Sequence, residues 1–305
     1  MLRVLAITAL TCVGCATTSG AVASGTSASS PVSAAELQIL RDLHDGKPPP
    51  AGKRAEDYLE PAIATLGAID PEVRDGIGYE LFARWLTKEP TLDVAAIDAL
   101  RARLVAQLGP IPAGEEDSVL RRSFSALVLS VVAAHELQAK RWSAAELDAQ
   151  VAAAASYAAH EVDLRGYLGE RGWAHAAAHT ADWIKMLGRH PSLKPAQAQR
   201  LLDAVADVIV RRHGYLLHHG EEDRLVAALR SLIDRGALTD AMLDAFLAKL
   251  IKPIDAGWPT PFDPALFAAQ RNARAVLYAL FTSLSFAQGA APAAALARVR
   301  VSLGG

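Results

Sequence analysis

Residues 70–86 read DPEVRDGIGYELFARWL, and this stretch decides the fold class. Asp70 is a natural N-cap. Pro71 suits the first helical position, where a backbone N–H is not needed, and Glu72 complements the positive end of the helix dipole. Ile77, Leu81, Trp85 and Leu86 then recur at helical spacing and lay an apolar face along the segment. The 305-residue chain is rich in alanine and leucine, and no run of alternating β-branched residues stands out. It is therefore expected to hold essentially no sheet.

Working outward, the same pattern repeats. Thr91 or Asp93 is expected to cap the next helix, which ends near Gly109, where Gly109-Pro110-Ile111-Pro112 breaks the chain. Further openings fall at Glu116-Asp117-Ser118 and at Ser143-Ala144-Ala145-Glu146, the latter with capping-box spacing. Others fall at Arg171, Pro195, Glu221 and Thr239, and Arg271-Asn272 opens the last amphipathic run. Arg74, Arg121, Arg171 and Arg224, near the starts of first helices, are 47, 50 and 53 residues apart, close to the period of HEAT helical hairpins. The phrase Asp-Pro-Glu-Val-Arg resembles the start of a HEAT first helix. These features predict an all-α, HEAT-like stack of antiparallel helix pairs, with an irregular helical bundle as the alternative.

Residues 160–182, HEVDLRGYLGERGWAHAAAHTAD, carry the densest polar chemistry. If a helix starts near Arg171, then His175, His179 and Asp182 share one face. Two imidazoles and a carboxylate so placed suit a divalent metal such as zinc. Glu161, Asp163, Arg165 and Arg171 crowd four charges alongside, and Trp173 is the aromatic candidate for ligand contact. A satisfied polar core, with Arg165 paired to Asp182, explains the same residues without a ligand. His175, His179, Asp182, Arg165 and at least one of Glu161 and Asp163 are expected to form one connected polar cluster.

Several chemistries are excluded. The residue after His175 is Ala176, so the helical zinc-peptidase signature lacks its general base. The His-Asp dipeptide of metal-dependent phosphohydrolases occurs only at His44-Asp45, with no earlier histidine. Neither a phosphate-cradling glycine loop nor a Gly-x-Ser-x-Gly elbow is present. His213, His218 and His219 read as a solvated connection that matters only if the fold brings it beside His175. Trp85, Trp142, Trp183 and Trp258 read as core.

The N-terminus is an address. Arg3 precedes an apolar stretch, Val4–Val13, and Cys12-Val13-Gly14-Cys15 resembles a bacterial lipobox with Cys15 as the acylated residue. Residues 1–15 are expected to be a signal peptide, 16–33 a Ser/Thr/Ala/Gly tether, and 34–305 a single helical domain. Ala16 is not an inner-membrane retention residue, which points to the outer membrane facing the periplasm. The body contains no cysteine, and a net charge of -2 without a basic block excludes nucleic acid as a partner.

Asp163-Leu164-Arg165-Gly166-Tyr167, Gly172-Trp173-Ala174-His175, Ala178-His179 and Asp182 resemble a bacterial family, the domain-of-unknown-function family two-seven-eight-five. The similarity extends to Arg122-Ser123-Phe124-Ser125 and Asp223-Arg224-Leu225. The resemblance implies an all-helical fold and supplies no activity. Many relatives look cytoplasmic, so the signal here departs from the usual pattern. The sequence thus leads to an envelope lipoprotein that binds a protein or small-molecule ligand through residues 160–182. The alternative is a metal-dependent hydrolase using His175, His179 and Asp182, with Glu161 or Asp163 as general base.

Overall fold

The computed structural model describes residues 32–89 and 91–304. Cys12, Cys15 and tether residues 16–31 lie outside them. Among the described residues the regular elements are helical, apart from one antiparallel bridge between Tyr167 and Trp173.

Two helices lead in, α1 (Ala34–His44) and α2 (Leu59–Thr65). The segment that opens at Asp70 follows. Its start is as the sequence predicts, since the Asp70 carboxylate accepts the Glu72 N–H at 2.9 Å. Its backbone is π-helical over Glu72–Tyr79, α-helical over Glu80–Ala83 (α3) and π-helical again over Arg84–Lys88. Next come α4 (Val94–Ala106), α5 (Ser118–Ala139), α6 (Ala144–His160) and α7 (Ala176–Gly188). The chain ends with α8 (Pro195–Val210), α9 (Glu221–Asp234), α10 (Asp240–Asp255), α11 (Pro264–Ser285) and α12 (Ala290–Ser302). Asp93, not Thr91, caps α4 through the Ala96 N–H, and the Ser143–Glu146 capping box closes the start of α6.

These helices stack in two layers. The 72–88 segment, α5, α7, α9 and α11 lie side by side in one layer, and α6, α8, α10 and α12 in the other. Arg101 of α4 extends the second layer to Glu146 of α6 at 2.9 Å. Each first-layer helix turns back into a second-layer partner, so the connections alternate between two edges of the stack. The result is a stack of antiparallel helix pairs, consistent with a helical repeat. Apolar stripes seal the layers, with Leu120, Trp183, Leu201, Leu229 and Leu277 all at 0% exposure. Gly188 permits the close approach of α7 to α9, because a Cβ there would stand 2.2 Å from Ser231 Oγ.

Three expectations need correction. Helix α7 starts at Ala176, not near Arg171, which sits in the 3-10 turn Gly169–Arg171. The chain turns at Gly172 (φ 70) and again at His175 (φ 52), so the preceding backbone pairs with itself instead of joining the helix. Arg271 and Asn272 lie inside α11, which opens at Asp263-Pro264. Trp85, Trp142 and Trp183 are buried, but Trp258 is 71% exposed in the connection between α10 and α11, where Pro259 and Pro261 keep the chain out of helix.

Candidate functional site

Residues 165–175 form a hairpin loop, closed by the Tyr167–Trp173 bridge and set into the α6–α7 connection. The Leu168 N–H donates to Gly172 O at 2.7 Å, the Ala174 N–H to Gly166 O at 2.9 Å and the His175 N–H to Arg165 O at 3.1 Å. Tyr167 and Trp173 face each other across it with ring centroids 4.8 Å apart, and both remain exposed, at 53% and 37%. The neighbouring pairs clamp the hairpin from both sides. On one side the buried Arg74 donates to Arg171 O (2.9 Å), Ala68 O (2.9 Å) and Ile69 O (3.2 Å). On the other, Gly166 lies against the α8–α9 connection, where a Cβ would meet His219 Nδ1 at 2.3 Å and Glu221 Oε1 at 2.8 Å.

The charges at the base of the hairpin are satisfied. Arg122 of α5, at 0% exposure, forms a two-pronged pair with the buried Glu161: Nε to Oε2 at 2.6 Å and Nη2 to Oε1 at 3.0 Å. Asp163 pairs with Arg165 at 2.6 Å and accepts the Glu116 N–H. Arg171 pairs with Asp117. Burial beside Glu161 pushes the Tyr157 phenol well above its usual range.

The histidines and Asp182 separate. His179 Nδ1 lies 2.7 Å from Ser123 Oγ, whose own O–H donates to Ala174 O. His179 therefore donates to the serine, as a neutral ring does, and burial holds its pKa well below the ordinary histidine value. His175 stacks on Trp173 with centroids 4.3 Å apart, and its Nε2 faces Glu221 Oε1 at 3.5 Å. His219 Nδ1 approaches the same oxygen at 4.0 Å. Neither nitrogen makes a hydrogen bond. Glu221, 1% exposed, accepts the His219 N–H at 2.7 Å, and no arginine or lysine among the described residues pairs with it. Asp182 instead pairs with Arg224 and with Lys185, the latter at 2.6 Å.

The expected metal set of His175, His179 and Asp182 is accordingly not assembled. His175 caps α7 in the left-handed region instead of riding on its face, and two cations take Asp182. Among the described residues, no group of three or more His, Cys, Asp or Glu side chains is placed to hold a metal ion. Arg165 pairs with Asp163, not Asp182, so the expected cluster is divided into separate networks. A groove of about 820 Å³ between α9 and α11, lined by residues such as Arg189, Arg230 and Arg235, includes no residue of 160–182. Ser123 and Glu221 belong to the site without being site candidates in the sequence, whereas His219, which matters only if the fold brings it beside His175, is brought there, its ring 5.7 Å from Trp173. Glu221 looks in sequence like an ordinary first-turn acid, and of the two histidines it meets, His175 lies 46 residues upstream, where no local signal reaches.

The connections between successive pairs join along one edge. Arg165 reaches Glu115 at 3.5 Å, and the Tyr215 hydroxyl donates to Glu115 at 2.7 Å. Asn272 pins the α8–α9 connection by accepting the Leu217 N–H and donating to Tyr215 O, each at 2.9 Å. Arg212 pairs with Asp263 of the next connection. Of the eleven large hydrophobic side chains exposed among the described residues, seven stand on this edge: Ile69, Val162, Tyr167, Trp173, Leu216, Trp258 and Phe262.

The chain is thus an all-helical stack of paired helices with an aromatic hairpin clamped into one loop-bearing edge. It belongs to the family described as protein of unknown function, DUF2785, whose family model matches residues 104–282, from the end of α4 into α11. The matched span includes the hairpin, Ser123, His219 and Glu221. Comparison with curated proteins and with solved structures gives no match.

The buried imidazoles set a pH dependence. Burial lowers the pKa of His175, His179, His190 and His213 from the ordinary 6.5. Their unfolded counterparts take up protons first as pH falls, so stability is fully present above about pH 6.5 and lost below it. Asp75, raised by burial to about 6, acts in the opposite sense, since its contribution is lost as pH rises through 6. With four imidazoles against one carboxyl, the thermal midpoint should fall between about pH 7 and pH 5. A midpoint that is flat or rises across that interval would show that these rings are not held neutral.

Proposed function

We propose that this protein is a binding module of the cell envelope that recognises its partner through the loop edge around the Tyr167–Trp173 hairpin. The observation that carries the reading is the concentration of exposed aromatic and aliphatic side chains there. Seven of eleven lie on the connections of one edge, in a fold that buries its apolar side chains elsewhere. Large contiguous apolar surface rimmed by charge marks interaction sites, and rigid scaffolds place recognition on their loops. The hairpin is held from both sides, so little ordering remains to oppose binding. The hydrolase alternative loses its support, because the donor set it needs is not gathered.

The test is site-specific photo-crosslinking in cells. A photoreactive residue at Tyr167 or Leu216 should yield a discrete adduct, and one at Tyr278 of α11 should not. Equal labelling at all three positions, or none, would overturn the reading.

The envelope location rests on the lipobox-like Cys12-Val13-Gly14-Cys15 and the uncharged tether behind it. Acylation of Cys15 would hold the module at the membrane while the tether gives it reach. The chain should fractionate with membranes, and Cys15→Ser should release it. If both forms are soluble, the anchor is absent, and the binding reading stands or falls separately on the crosslinks. No helix among the described residues is long and apolar enough to cross a membrane.

A further inference from the structure

We propose that the occupant of the loop edge is a cationic segment of a partner protein, an extended stretch in which lysine or arginine side chains alternate with apolar ones. The proposal rests on the binding-module reading above and names the partner that this edge fits.

Charge is the first argument. The edge segments 109–117, 161–175, 211–223 and 255–263, which are the connections with the adjoining ends of α9 and α10, hold eleven carboxylates against four arginines and no lysine; counting Arg122, which neutralises Glu161, their formal charge is -6. The whole chain carries -2, so the rest of the molecule is net positive and the acid is concentrated on this edge. These four arginines are already engaged. Arg165, Arg171 and Arg212 are held by Asp163, Asp117 and Asp263, and Arg211 donates to the carbonyls of Ala158 and Ala159. Glu115, Glu116, Glu170, Asp223 and Asp255 remain exposed. Nucleic acid and anionic lipid headgroups are repelled by such a surface, and a second copy docking through the same edge would set -6 against -6.

The aromatic rings are the second argument. Tyr167 with Trp173, and Trp258 with Phe262 (centroids 6.0 Å apart), offer exposed ring faces among these carboxylates. An ammonium or guanidinium group held against an aromatic face with a carboxylate beside it gains from both. Glu221 adds a third observation. It is a carboxylate 1% exposed, behind the Trp173–His175 stack, with two unbonded imidazole nitrogens and no cation facing it.

The experiment titrates the full chain in zwitterionic nanodiscs with a short peptide of alternating lysine and leucine. A counterpart with glutamate replacing lysine, and phosphatidylglycerol vesicles, serve as the comparison ligands. The lysine peptide should bind at least about tenfold more tightly than the glutamate peptide and weaken with added salt. The double change Glu115→Gln with Glu116→Gln, and separately Trp258→Ala, should each weaken it about three- to tenfold. Asp240→Asn, at the opposite edge, should leave it unchanged. Equal binding of the two peptides, a preference for the anionic vesicles, or indifference to the edge substitutions overturns the proposal. Crosslinks at Tyr167 together with no preference for the lysine peptide would overturn the cationic partner alone and leave the binding module standing.

Discussion

Replacing Arg122 with methionine should lower the unfolding free energy by about 3–5 kcal/mol, the range for removing one partner of a buried ion pair. Arg122 is fully buried and holds both carboxylate oxygens of Glu161, which is itself 2% exposed. Its third contact, Nη1 to Ser118 Oγ at 2.8 Å, ties the pair to the first residue of α5. Methionine fills much of the volume but leaves the carboxylate without its cation in a desolvated site. Adding Glu161→Leu should recover a large part of the loss, because two neutral side chains need no mutual compensation. Recovery should be incomplete, since the Asp163 N–H loses the Glu161 oxygen it binds at 3.0 Å. Urea unfolding of the wild type, the two single variants and the double variant measures this directly. A loss below about 1 kcal/mol in Arg122→Met would mean that the pair is solvated in solution.

Trp183→Ala should cost a similar amount, about 3–5 kcal/mol, through a different mechanism. Trp183 is fully buried on α7, which lies between α5 and α9 in the middle of its layer. Removing the indole opens a cavity between helices that are already close, as Gly188 and the alanines of α7 require, so the neighbours have little room to collapse inward. Trp183→Phe should lose much less. The indole Nε1 has no hydrogen-bond partner, so phenylalanine gives up contact area without breaking a bond. A phenylalanine variant as unstable as the alanine variant would contradict this account. The hairpin should persist in both, because its clamps come from Arg74 and from the close approach at Gly166.

The helix pairing was legible because its signals are local. Asp70, Asp93, Ser143 and Thr239 sit at or next to helix starts, and the apolar spacing after Asp70 marks one buried face. The start of α7 was not legible. Within residues 171–175 Gly172 and His175 take positive φ, and the hydrogen bonds of Ala174 and His175 go back to Gly166 and Arg165. That choice is made by pairing within the hairpin and by Arg74, which lies 97 residues before Arg171. Trp258 departs from the expected core for a related reason. Its residue type suits a core, yet the prolines around it hold it in a connection.

The sequence by itself determined the all-helical class, the order of the helix pairs and the segment in which polar and aromatic residues concentrate, since caps and periodicity act over a few residues. Only the tertiary structure decided which charges meet. Glu161 finds Arg122 across 39 residues, Asp182 finds Arg224 across 42, and His175 faces Glu221 instead of joining His179 and Asp182 around a metal. The physical reason is that a buried charge takes whichever partner the packing brings within reach. In a stack of pairs that partner comes from the neighbouring repeat, about forty to fifty residues away along the chain.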